Sequence, residues 1–265
     1  MARLSKLNSL PFVTKSQKMI RNPVTPSFPV SIPTPDGPIP AVVHLPERAP
    51  APVVVCCHGL LSYKDSSKFV TIGEQYSAAG MAVVRFDFSG CGESQVVQRE
   101  SLLFSRMRDL RFVLDYVEHQ PWANGAIGLL GSSLGGYLSL LAAASGQRRI
   151  QAVVCWATPF DLSRIKLELA ESEELKRVVP SGLQLGSPEN LKGLPRLSNV
   201  LVIQGQQDET VSWQDAVAIY RQLGEPRRLL FMKTADHRLL DPDWRAMAMR
   251  VSLEWFQELT TADQA

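Results

Sequence analysis

The sequence predicts an α/β protein: one doubly wound, mostly parallel, eight-stranded sheet with helices on both faces and a small helical cap insertion. Three observations carry this. Short unbroken runs of β-branched and other apolar residues, at Ala51–Cys57 and 81–86, have the composition of strands buried on both faces. Segments with apolar residues at helical spacing separate such runs. In 101–118, for example, Leu102, Leu103, Met107, Leu110, Val113, Leu114 and Val117 recur along one side. Strand, helix and strand in alternation give a parallel sheet with right-handed crossovers. Finally, the apolar run 126–130 enters a glycine-rich turn, Gly131-Ser132-Ser133-Leu134-Gly135-Gly136, and leaves it as the apolar helical pattern 137–144.

In chain order, residues 24–45 hold many prolines around Asp36-Gly37 and suit an edge hairpin, where a missing N–H does least harm. Ala51–Cys57 is the first buried strand, 66–79 a helix ending at Gly80, and 81–86 the second buried strand. The helix 101–118 and the strand and helix around Ser133 follow. Further strands are predicted at Ala152–Trp156, 200–204 and 228–232, with helices at 213–223 and 243–259. One segment breaks this rhythm. Residues 160–197 are long for a crossover: the first part is charged and helical in pattern, the second rich in Gly and Pro. An insertion at the carboxyl edge of such a sheet reads as a cap over a site.

The chain has 265 residues, 45% hydrophobic and 20% charged, which suits one globular domain over 23–265. A net charge of +2 argues against a nucleic-acid partner, and no apolar run approaches the length of a stable membrane insertion. Residues 1–22 carry Arg3, Lys6, Lys15, Lys18 and Arg21 without an acid and lack the continuous apolar core of a secretory signal. They read as a solvated basic arm, with an organelle-targeting segment or a weak membrane contact as the alternative. Cys56 and Cys57 are adjacent inside a predicted strand, so the four cysteines do not form a disulfide framework. A reducing, cytoplasmic setting is expected.

The Gly131–Gly136 turn has the G-x-S-x-G pattern in its confirming context, strand into helix. The sharp turn strains its central residue, so its neighbours two positions away must lack clashing side chains; Gly131 and Gly135 meet that need. Ser133 is the candidate nucleophile. It needs a general base and a carboxylate to orient that base. Ligands of doubly wound sheets sit at the carboxyl ends of strands, and two loops there supply both groups. Gly205-Gln206-Gln207-Asp208 follows the strand 200–204, and Lys233-Thr234-Ala235-Asp236-His237 follows 228–232. Asp208 is preferred to its neighbours Glu209 and Asp236, because it sits where the strand has ended and a side chain can turn inward. Backbone N–H groups of Leu134, directly after the nucleophile, and Leu60, after His58-Gly59, are the candidate oxyanion donors.

The other histidines fit the base role less well. His44 falls in the early edge strand and His119 near the end of a surface helix, both expected to be solvated; His58 is expected to brace its loop. In the segment from Arg85 to Ser94, Asp87 is read as a loop-bracing acceptor. The glycines of that segment lack the third member of a dinucleotide loop and its ribose-binding acid. No cysteines and histidines cluster at metal-ligand spacing, so no metal is predicted.

With these residues in hand, the chain resembles the α/β-hydrolase superfamily from about Val30 onward. Cys57-His58-Gly59-Leu60, the Arg85 to Ser94 segment, Gly131 to Gly136, Gln204 to Asp208 and Asp236-His237 match in order. Within the superfamily it is similar to small capped serine hydrolases grouped with cinnamoyl and feruloyl esterases and with serine-aminopeptidase-like hydrolases. The resemblance implies a Ser133, Asp208, His237 triad, no cofactor, and a cap after the sixth strand. Cinnamoyl esterases tend to carry His before and Gln after the nucleophile, and Phe after His-Gly. This chain has Ser132, Leu134 and Leu60 instead, a departure from phenolic-ester specificity.

The expected activity is hydrolysis of a small-molecule carboxylic ester through an acyl-enzyme. Alternatives keep the triad but change the bond, as in an aminopeptidase, thioesterase or acyltransferase, or lose catalysis for binding. An aminopeptidase needs acids near a substrate amine; Glu168, Glu171, Glu173 and Glu174 are candidates, although a solvated helix face is the preferred reading of them.

Overall fold

A computed structural model describes residues 25–97, 100–163 and 184–261. Eight strands form one sheet: β1 (Ser27–Ile32), β2 (Ile39–His44), β3 (Ala51–Cys57), β4 (Ala82–Phe86), β5 (Ala123–Ser132), β6 (Ala152–Trp156), β7 (Val200–Gly205) and β8 (Arg227–Met232). Their order across the sheet is β1-β2-β4-β3-β5-β6-β7-β8. β1 and β2 run antiparallel to their neighbours, and the pairs from β4 to β8 are parallel.

The alternation of side chains along β3 explains its unbroken apolar sequence. Val53, Val55 and Cys57 enter one core, while Val54 and Cys56 enter the other. The first core is closed by α2 (Leu102–Glu118), α3 (Leu134–Ala144) and α4 (Trp213–Gln222), the second by α1 (Ser67–Ala78) and α5 (Pro242–Thr261). Helices therefore cover both faces, as the doubly wound reading requires. The chain leaves β3 toward β4, then crosses back over it to β5. The winding reverses between β3 and β5, and ligands of open α/β sheets bind in the crevice such a reversal leaves. The loop after β3 carries His58-Gly59-Leu60, and the turn after β5 carries Ser133.

The first hairpin turns at Thr34–Gly37, where Gly37 has φ +126° and its N–H donates to the Thr34 carbonyl at 3.2 Å. One expectation fails here. His44 is 3% exposed rather than solvated, because β1 forms the sheet edge and β2 lies inside it, paired with β4. The ring packs against Gly73 of α1, where a Cβ would lie 2.5 Å from His44 Nε2, and accepts from Arg85 Nε at 2.8 Å. Burial, and after it the Arg85 charge, push its pKa down to about 4. His119 is exposed, as expected.

The basic arm 1–22 lies outside the described residues, as do 164–183 of the cap insertion and with them Glu168, Glu171, Glu173 and Glu174. The insertion's second part is seated on the body. Leu185 and Leu191 are buried in the first core, and the Leu102 and Leu103 N–H groups donate to the Gln184 and Leu185 carbonyls at 2.8 and 2.9 Å. No described helix is long and apolar enough to cross a membrane.

Candidate active site

Ser133 sits at the junction of β5 and α3 with φ +55° and ψ −124°, a left-handed conformation costly for a residue with a side chain. The surroundings enforce it. The Ser133 N–H donates to the Trp156 carbonyl at 2.8 Å. A Cβ on Gly135 would lie 1.9 Å from the Cys57 carbonyl oxygen, and one on Gly131 2.3 Å from the Gly135 oxygen. Only glycines let the first turn of α3 press onto the end of β3 and hold the strained serine up. Its hydroxyl is half-buried and has no hydrogen-bond partner among the described residues.

The loop after β3 passes over this hydroxyl: a Cβ on Gly59 would be 3.3 Å from Ser133 Cβ and 3.9 Å from its Oγ. The N–H groups of Leu60 and Leu134 are not engaged by any backbone or side-chain acceptor among the described residues. Leu134 opens α3, where backbone donors lack intrahelical partners. His58 braces the loop, as expected. Its Nε2 accepts from the Phe88 N–H at 3.1 Å and its Nδ1 lies 2.8 Å from the Gly59 carbonyl. Asp87, fully buried, accepts from the Lys64 N–H at 2.7 Å and the Glu93 N–H at 3.0 Å, which ties this loop to the one after β4.

The acid and the base meet at the ends of β7 and β8. A Cβ on Gly205 would lie 2.2 Å from the Ala235 carbonyl oxygen, so the two loops can touch only at a glycine. His237 Nδ1 is 3.0 and 2.9 Å from the two oxygens of Asp208. The carboxylate, 0% exposed, also accepts from the Thr210 and Val211 N–H groups at 2.9 and 2.7 Å and from Gln204 Nε2 at 3.0 Å. A carboxylate only accepts, so Nδ1 carries a hydrogen and Nε2 is left with no partner among the described residues. Among the described residues Glu209 and Asp236 accept only backbone N–H groups, of His237 and Leu240 at 3.4 and 3.0 Å. The structure thus joins Asp208 to His237 and lays Gly59, the residue before Leu60, against Ser133. No hydrogen bond links Ser133 Oγ to the His237 ring.

Three nearby residues escaped the sequence reading. Gln204, 0% exposed, orients Asp208; it is a polar residue closing an apolar strand. Lys68 of α1 donates to Ser132 Oγ at 2.7 Å, and burial, then the Arg245 and Arg238 charges, push its pKa down to about 8. Arg106, 1% exposed, touches the loop over Ser133. A signal for it exists: Leu103, Arg106, Leu110, Val113 and Val117 form one stripe at three- and four-residue steps, so the arginine interrupts a buried helix face. Cys57 and Cys155 lie buried with thiols pushed up to about 12, which leaves them protonated and inert. Among the described residues no group of His, Cys, Asp and Glu is arranged to hold a metal ion.

The fold has known counterparts. The chain is 26% identical over 224 residues to human "Palmitoyl-protein thioesterase ABHD10, mitochondrial", covering 76% of this chain and 72% of the relative. Mouse α/β-hydrolase domain-containing protein 10 superposes with a TM-score of 0.68 at 23% identity, over 88% of this chain and 99% of that one. Est1E of Butyrivibrio proteoclasticus, solved with ferulic acid bound, gives 0.70 at 21% identity, over 87% and 98%. The family described as "Serine aminopeptidase, S33" matches residues 48–198, more than half of the chain, and the protein is accordingly an α/β-hydrolase belonging to that family.

Proposed function

We propose that the protein cleaves carboxylic esters of small acyl substrates through an acyl-enzyme on Ser133. The observation that supports this most is the His237 ring, oriented through Nδ1 by both oxygens of buried Asp208, with Nε2 left free to act as a base. In the proposed reaction Nε2 takes the Ser133 proton as Oγ attacks the carbonyl carbon. Leu60 and Leu134 N–H groups receive the oxyanion, and His237 returns the proton to the departing alcohol. Water then repeats the cycle on the acyl group, and no metal or cofactor is required. Apo catalytic hydrogen bonds are often long and tighten in the substrate complex, so the reading requires a His237 to Ser133 contact to form on binding. Residues 160–197, as a cap, would shape the acyl pocket.

The name of the human relative favours a second reading, thioester cleavage, in which the same acyl-enzyme forms and a thiol leaves. The two readings separate on one preparation given matched oxygen esters, thioesters and aminoacyl arylamides. The first predicts oxygen-ester turnover at least comparable to thioester turnover; a strong thioester preference selects the second, and arylamide preference overturns both. Ser133→Ala should lower kcat by about a millionfold on whichever substrate is turned over; unchanged turnover would remove the acyl-enzyme.

The reading includes a small-molecule ester as partner, with no nucleic acid and no stable membrane insertion. It also places the protein in the cytoplasm, on its free cysteines. A fluorescent fusion of the full chain, compared with one lacking residues 1–22, tests this. Organellar signal that disappears with the arm would replace the cytoplasmic assignment.

A further inference from the structure

We infer that Arg106 is a positioning residue for the reaction, clamping the Gly59–Leu60 peptide so that the Leu60 N–H stays aimed at the oxyanion. The inference rests on the proposed acyl-enzyme and goes beyond the triad and its two backbone donors.

A guanidinium 1% exposed must find strong acceptors, and in most proteins a carboxylate is the obvious one. Among the described residues Arg106 has no ion pair within bridging distance. Asp109, one turn on, instead accepts from the Ser89 N–H at 2.7 Å. Arg106 aims its two terminal nitrogens at the loop over Ser133, while its buried Nε has no partner among the described residues. Nη1 donates to the Gly59 carbonyl and Nη2 to the Leu60 carbonyl, both at 3.1 Å; Nη2 also lies 3.2 Å from Cys91 Sγ. The guanidinium carbon lies 5.0 Å from the centre of the Phe88 ring, a cation–π contact that holds the group in place.

His58 completes the clamp. Burial, and after it the Arg106 charge, push its pKa down to about 3, so the ring is neutral at working pH. Nε2 accepts from the Phe88 N–H; the single ring hydrogen is therefore on Nδ1 and is donated to the Gly59 carbonyl at 2.8 Å. Both acceptor positions of that oxygen are filled, by Arg106 and His58. The Gly59 C=O and the Leu60 N–H belong to one planar peptide and point in opposite directions. Fixing the oxygen from behind fixes the hydrogen in front, on the side where Gly59 lies against Ser133. A charged donor on the carbonyl also polarises the amide and strengthens its N–H as a donor.

The test uses the full-length enzyme, Arg106→Met, Arg106→Lys, an ester substrate and a trifluoromethyl ketone that forms a tetrahedral adduct on the nucleophile. Loss of one oxyanion donor costs about a hundredfold to a thousandfold in rate, so Arg106→Met should lower kcat on that scale. KM should stay nearly constant, and ketone affinity should fall by the same factor as kcat. Arg106→Lys, keeping one charged donor, should recover part of both. The downfield proton resonance of the His237 to Asp208 hydrogen bond should persist in both variants, which a general collapse of the site would not allow. Folded variants with wild-type kcat and ketone affinity would overturn the inference, as would equal changes in substrate and ketone binding. Should neither variant fold, the wild type still decides: the Gly59 carbonyl carbon should resonate downfield, as a doubly hydrogen-bonded carbonyl does, and a shift typical of a singly bonded loop carbonyl would overturn the clamp. Failure of the wild type to turn over any ester or thioester, by contrast, would refute the acyl-enzyme and leave the carbonyl measurement intact.

Discussion

The Asp208–His237 corner and the wall formed by the Leu60 loop are built in opposite ways. Asp208 is held by Gln204, Thr210 and Val211, all within four residues of it, and by His237 from the adjoining strand end. The corner is a local turn joined to one neighbouring strand end, through His237 on Asp208 and the Gln206 and Gln207 N–H groups on the Met232 and Ala235 carbonyls. The Leu60 wall is assembled from distant parts of the chain: His58 on Phe88, Lys64 on Asp87, Arg85 on His44, and Arg106 on Gly59, from three strands and α2. A local corner keeps its geometry while its loop persists, whereas the wall depends on the whole packing of the upper sheet. The corner should therefore be sensitive to chemical substitution and insensitive to global stress, and the wall the reverse.

The sharpest way to break this contrast is at the carboxylate. Asp208→Asn should cut kcat by about ten-thousandfold, because an amide disturbs the tautomer and no longer stabilises the imidazolium, while the melting temperature moves little. Steady-state kinetics beside a thermal melt would show both; a large stability loss would mean the corner is not local.

The next effect is on the wall. In Gly135→Ala the new methyl would meet the main-chain carbonyl of Cys57 at 1.9 Å, with no side chain able to move aside, and should cost about 4 kcal/mol or more. Gly136→Ala meets the Thr158 hydroxyl at the same 1.9 Å, but a side chain can rotate away, and about 1–2 kcal/mol is expected. Urea denaturation of the pair reads the difference, and equal losses would contradict the packing described here.

Acid should also attack the wall. His44 and His58 have folded pKa values of about 4 and about 3, below the ordinary 6.5, so the unfolded chain takes up protons first as pH falls. Their contribution to stability is complete above about pH 6.5 and is lost progressively below it, by roughly 3 kcal/mol each at pH 4. Chemical denaturation from pH 7 to 4 should show that slope, and a flat profile between pH 7 and 5 would contradict it. The smallest effect is expected at Gln204→Leu, which removes one of four donors to Asp208 and should slow the reaction about tenfold, at about 1–3 kcal/mol of stability, since the Gly205 and Val211 carbonyls lose their partner.

The same contrast governs what could be read from the sequence. Buried parallel strands betray themselves by composition, and the nucleophile turn, the acid loop and the histidine loop each lie within a few residues of a strand end. The fold and the neighbourhood of Asp208 and His237 were legible for that reason. His44 was misjudged because its burial depends on β1 folding outside β2, which no local pattern states. Arg106 was overlooked because an arginine on an amphipathic helix reads as solvated, although its place in the Leu103 to Val117 stripe marked it as buried. Long-range hydrogen bonds to backbone carbonyls leave almost no trace in sequence, since the acceptor's side chain is irrelevant.

The proposed chemistry requires Ser133 to be a nucleophile activated by His237. Incubating the native protein with an active-site fluorophosphonate and mapping the adduct by peptide mass spectrometry tests this most directly. The predicted result is a single adduct on Ser133 whose formation slows by orders of magnitude in His237→Ala; no adduct, an adduct elsewhere, or labelling indifferent to His237 would contradict it.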